Sequence, residues 1–100
     1  MQEYLKKVQL PDQNVNPLFA SLGVVVEKIS PKKVVLQLPF KPDFIQGGNM
    51  IAGGIMATLA DEAMAHAALA NLKPGETTAT IEMNIRYLKG RTSGDITATA

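Results

Sequence analysis

The chain contains no cysteine and no tryptophan, and its only histidine is His66. Without cysteine there is no disulfide scaffold, no thiolate zinc site and no thiol nucleophile. A lone histidine has no second imidazole with which to share a metal, so no metal site is expected. Aromatic residues are scarce, two Tyr and three Phe, which leaves few stacking platforms for single-stranded nucleic acid. Neither sign of charge dominates. Ten Lys and Arg against nine Asp and Glu give a net charge of +1, without the basic surplus that holds nucleic acid. Long hydrophobic runs free of charge are also missing. The most apolar stretch, residues 51–70, carries Asp61, Glu62 and His66, which argues against a membrane span. Residues 1–7 lack the apolar centre of a signal peptide. Together these absences lead us to expect a cytoplasmic protein that binds neither nucleic acid nor membrane.

What is present is globular chemistry. With 100 residues, 46% hydrophobic and 19% charged, residues 1–100 are expected to form a single domain, with 1–15 as an N-terminal extension. A core of this size is marginal and often completes its burial against a second copy. Residues 2–9 follow a loose helical pattern stopped by Pro11. Asn16-Pro17 reads as an N-cap followed by proline at the first helical position, and Gly23 closes that short helix. The β-branched runs 24–29 and 34–38 flank Ser30-Pro31-Lys32-Lys33 and predict a hairpin. Residues 53–72, rich in Ala and Leu without interior proline, predict one long helix, apolar nearly all round and therefore buried. Alternation over 77–88 predicts a long strand, and 95–100 begins another. The order implies an α+β fold with a mostly antiparallel sheet curved around one helix.

Two features of that helix could carry chemistry. Gly53-Gly54 opens it, and the first N–H groups of a helix have no internal acceptor, so they can meet an anion or a developing oxyanion. Asp61 places a carboxylate two turns in, on an otherwise apolar cylinder, where it must be paired, protonated or functional. Glu62 points about 100° away and is expected to face solvent. Asp61 follows Gly53 by eight residues, about 12 Å along the axis, so both groups of one chain cannot reach one carbonyl. A joint site therefore requires an antiparallel helix from a second chain, in a two-fold dimer. His66 reads as a core or rim residue, and the methionines as core filler, with Met50 and Met83 the candidates for lining an acyl channel.

Gly53-Gly54, the run from Leu59 through Asp61 to Ala63, the run from Thr80 to Leu88, and Gly94-Asp95-Ile96-Thr97-Ala98 together resemble the hotdog-fold acyl-CoA thioesterases. The pattern is similar to the PaaI-like group, related to 4-hydroxybenzoyl-CoA thioesterases. The resemblance implies a hotdog fold, with the sheet wrapping the 53–72 helix and two chains joining their sheets as a homodimer or a dimer of dimers. It implies hydrolysis of an acyl-CoA thioester without metal or other cofactor, coenzyme A being part of the substrate. Asp61 matches the catalytic nucleophile or general base, and Gly53 the backbone N–H that polarises the thioester carbonyl. Gln46 matches a loop residue that contacts the nucleophile or water, and Thr80 a hydroxyl beside the attacking water. Asn49, Met83, Tyr87, Leu88, Lys89, Gly90, Arg91 and Thr92 are implied substrate contacts, with Lys89 and Arg91 suited to the phosphates.

Two departures stand out. The histidine of the family's His-Gly-Gly motif is Ala52 here, and family members usually carry two more strands beyond the sequence present. The expected sheet therefore lacks its last strands. Ala52 keeps a non-catalytic acyl-CoA or acyl-carrier binding module open as a second reading. A hotdog hydratase or dehydratase is a weaker one, because only His66 could serve it, and the Gly-Asp-x-Asn-Pro loop of such enzymes is absent.

Overall fold

The computed structural model describes residues 2–100. Helix α1, Gln2–Val8, packs Leu5 and Val8 inward. Helix α2, Pro17–Leu22, starts where the sequence places it. The Asn16 side chain accepts a hydrogen bond from the Phe19 N–H, and Pro17 takes the position where a missing N–H costs nothing. It ends at Gly23, whose φ of 84° is open to glycine and strained for other residues, and the Gly23 N–H donates to the Phe19 carbonyl.

Strands β1, Val25–Ser30, and β2, Lys33–Leu38, form the expected hairpin. Ser30 Oγ accepts from the Lys32 and Lys33 N–H groups at 3.3 and 3.1 Å and so fastens the Pro31-Lys32 turn. Glu27 is an extra residue between Val26 and Lys28, a bulge in the outer strand of the pair. In β2 the alternating Val34, Leu36 and Leu38 are fully buried, and each contributes roughly 1.5–3 kcal/mol by leaving water. A 3-10 turn, Pro42–Phe44, inserts Phe44 beneath the sheet. Helix α3 runs Gly53–Leu69, and β3, Ile96–Thr99, adds to β2 in antiparallel register, giving the order β1-β2-β3.

Helix α3 buries Leu59, Ala63, His66 and Leu69, with Leu59 and Ala63 sharing the core of Val34, Leu36 and Leu38 and His66 packed against Tyr4 and Phe19. The all-round burial expected of it is not observed: Met64, on the far side, is half exposed. Three strands cover one flank of a helix, and its apolar residues elsewhere have only an irregular segment over them. Glu62, expected in solvent, is half-buried. The end of α3 is tied to the hairpin by Asn71, whose Nδ2 donates to the carbonyls of Pro31 and Ala67.

The predicted long strand over 77–88 is also corrected. Among the described residues this segment has no strand neighbour, and alternation without a ladder does not make a strand. It bends at Ile81, which is 99% exposed. Two side chains of opposite parity, Thr80 and Tyr87, both bond to α3, so the segment does not keep one face inward. Between it and the outer edge of β3 runs an open apolar groove of about 530 Å³, floored by Met56, Leu59, Ala60 and Ala63.

The His66 ring is buried and fully satisfied. Its Nδ1–H donates to the Glu62 carbonyl at 2.7 Å, which leaves Nε2 to accept from the Tyr4 hydroxyl at 2.8 Å. The Tyr4 oxygen in turn accepts from Asn16 Nδ2 at 2.8 Å, so one chain of bonds joins α1, the cap of α2 and α3. Burial pushes the Tyr4 hydroxyl above its ordinary value. The Asn16 bond opposes this and the Glu62 charge adds to it.

Candidate active site

The glycine-rich loop and the 89–94 turn meet at the start of α3. In the loop, Gln46 N–H donates to the Met50 carbonyl and Asn49 N–H to the Gln46 carbonyl. Asn49 adopts φ 64°, the left-handed region that asparagine tolerates better than most residues. The Gln46 side chain folds back to accept from the Gly48 N–H, so it is engaged in its own loop. Ile51 N–H donates to the Arg91 carbonyl at 2.7 Å, and this bond straps loop to turn. Gly90 lies so close to Met50 that a Cβ there would sit 2.6 Å from the sulfur.

Helix α3 begins immediately after this strap. Its N-cap is Ala52, which offers no side-chain acceptor, and the Ala52 carbonyl receives the Ile55 and Met56 N–H groups. The Gly53 and Gly54 N–H groups meet no protein acceptor among the described residues. They point out from the positive end of the helix dipole. Tyr87 lies over Gly53. Its hydroxyl donates to the Gly53 carbonyl at 2.8 Å, and a Cβ on Gly53 would stand 3.2 Å from the ring.

Two turns along, the Asp61 carboxylate accepts a hydrogen bond from the Thr80 hydroxyl at 2.7 Å. It borders an open depression of about 410 Å³, with Met64, Thr78 and Met83 among the walls. Within one chain the Asp61 carboxylate and the Gly53 amide stand about 12 Å apart along the helix. Leu88 and Lys89 line the groove beside β3, and Thr92 is exposed in the turn. Arg91 is committed to its own turn, with Nε and Nη2 donating to the Ser93 carbonyl and Nη2 reaching the Asp95 carbonyl at 3.4 Å. The Tyr87 bond to Gly53 was invisible in the sequence. Its one trace was glycine at 53, where a side chain would press on the ring.

The sequence model of the thioesterase superfamily matches residues 48–100, which contain both the helix start and the carboxylate. The chain belongs to the thioesterase superfamily. It is similar to a 1,4-dihydroxy-2-naphthoyl-CoA hydrolase of Listeria monocytogenes, 28% identical over 80 residues, a match covering 80% of this chain. The chain spans 65% of the length of that curated relative. Among solved structures it is similar to a phenylacetic acid degradation-related protein from Ralstonia eutropha JMP134. That match has a TM-score of 0.82 at 17% identity and covers 96% of this chain and 74% of the other. The PaaI protein of the phenylacetic acid degradation operon of E. coli aligns with a TM-score of 0.75 at 22% identity, covering 85% and 60%. At these identities the likeness establishes the fold, and this thioesterase-superfamily chain carries the hotdog fold with a short sheet. No described helix is long and apolar enough to cross a membrane.

Proposed function

We propose that this chain hydrolyses an acyl-CoA thioester to the free acid and CoA. The observation that carries the reading is the Asp61 carboxylate, oriented by Thr80 at 2.7 Å and open to a depression rather than sealed in the core. A carboxylate so held serves as nucleophile toward the thioester carbon or as base for a water molecule. The carbonyl oxygen gains negative charge in either case, and the Gly53 N–H at the helix start, without an acceptor among the described residues, is the group suited to receive it. Because about 12 Å separates the two groups in one chain, the reading requires Asp61 of one protomer to face Gly53 of its partner. The chemistry as written uses no metal or redox cofactor. The apolar groove beside Tyr87 supports an aromatic or medium-length acyl group, with the polar CoA moiety along the 87–92 segment.

The decisive measurement is turnover of a panel of CoA thioesters by the wild type and by Asp61→Asn. The substitution is expected to lower kcat roughly 100- to 10,000-fold. Equal rates would remove Asp61 from the mechanism, and full activity of a monomer at assay concentration would remove the shared site. Ala52, which gives the helix start no side-chain acceptor, favours a second reading as a binding module. Tight association with an acyl-CoA that is never turned over would establish that reading.

A further inference from the structure

Tyr87 touches α3 in a way that the thioesterase reading does not use. Its hydroxyl donates to the Gly53 carbonyl at 2.8 Å, while its ring covers the Gly53 α-carbon closely enough that a Cβ would come within 3.2 Å. The Gly53 carbonyl belongs to the same peptide group as the Gly54 N–H. That peptide is planar and trans, so the two bonds point in opposite directions and share one electron system. A donor on the oxygen draws electron density from the nitrogen and makes the N–H a stronger donor, the cooperative effect of chained hydrogen bonds. The Gly54 N–H is one of the two α3 amides with no protein acceptor among the described residues. Among the described residues, no side chain or remote backbone atom lies within 4 Å of the place a Gly54 Cβ would take, so the side of α3 at Gly54 is open.

We infer that Tyr87 is a positioning residue that orients and polarises the 53–54 peptide, making the Gly54 N–H a second donor to the thioester carbonyl. The inference rests on the proposal that the start of α3 receives that carbonyl. Gly53 alone is assigned that task above. Here the oxyanion is shared between two successive amides, and Tyr87 acts through the second without touching the substrate carbonyl. The arrangement also explains the glycine at 53, since a side chain there would push the ring aside and lengthen the bond.

The test is Tyr87→Phe, which keeps the ring and removes the hydroxyl, with Tyr87→Leu as a second variant that removes both. Two readouts are needed. The first is the Gly54 backbone amide proton in a ¹H–¹⁵N correlation spectrum of the intact chain, which requires no turnover. The second is kcat and KM on the CoA thioester that the wild type hydrolyses fastest. Tyr87→Phe is expected to move the Gly54 resonance upfield and to lower kcat about three- to tenfold, with KM changed less than about twofold. Tyr87→Leu is expected to do both to a greater extent. An unmoved Gly54 resonance, or an unchanged kcat in Tyr87→Phe beside an active wild type, overturns the role of Tyr87 and leaves the thioesterase reading intact. A wild type that hydrolyses no CoA thioester overturns both, even if the resonance moves.

Discussion

Tyr4 carries more of the architecture than its place near the N-terminus suggests. Its oxygen accepts from Asn16 and its proton goes to His66, so three elements lose a connection if the hydroxyl is removed. Tyr4→Phe leaves the buried His66 Nε2 without a donor, a cost of roughly 1–3 kcal/mol that urea denaturation would read. The same hydroxyl gives the fold an alkaline limit. Burial raises its pKa above the ordinary 10.0, so the folded chain holds the proton after the unfolded chain has lost it. The stability it contributes is complete below pH 10.0 and declines as pH rises from there toward the folded value. Denaturation midpoints of the wild type should therefore fall more steeply above pH 10.0 than those of Tyr4→Phe.

The elements divide by how local their causes are. Helix α2 is legible residue by residue, because Asn16, Pro17 and Gly23 act on neighbours three or four positions away. The hairpin is legible for the same reason, since Ser30 acts on Lys32 and Lys33. Segment 77–88 is not. Alternation states which residues share a face but never which neighbour supplies the ladder, and here the segment is held by Thr80 and Tyr87 instead. His66 is readable as buried, yet its partners at positions 4 and 16 are a matter of tertiary packing. Asp61 is legible as a carboxylate on an apolar helix and Thr80 enters through family resemblance, but only the fold supplies the bond between them. The α3 glycines give a prediction at this scale. Gly54→Ala meets open space and should stabilise the helix by up to about 0.5–1 kcal/mol, whereas Gly53→Ala forces the Tyr87 ring to shift and should lose that gain. Comparing the two urea midpoints checks the contrast.

At the scale of the molecule, apolar surface is distributed unevenly. The β1-β2 side of α3 is closed over a core built on Val34, Leu36, Leu38 and Phe19. The opposite side leaves Met64, Ile81, Tyr87 and Leu88 half exposed or more. Exposed apolar side chains lie elsewhere too, Leu10 and Val25 among them, but Ile81 and Leu88 are the most exposed, and their flank offers a face for association in line with the two-chain site proposed for Asp61 and Gly53. The sheet has the same asymmetry. In β3 the Ala100 N–H and carbonyl both pair with Val34, so the register directs the Ile96 and Ala98 amides toward β2 and turns those of Thr97 and Thr99 into the groove. Transferred to heavy water, this strand should take up deuterium at every second residue. Thr97 and Thr99 should label within the fast phase, while Ile96 and Ala98 wait for the sheet to open. If a partner chain or another segment occupies the groove, it should silence the fast pair first, so those two amides would report its arrival ahead of any change in shape.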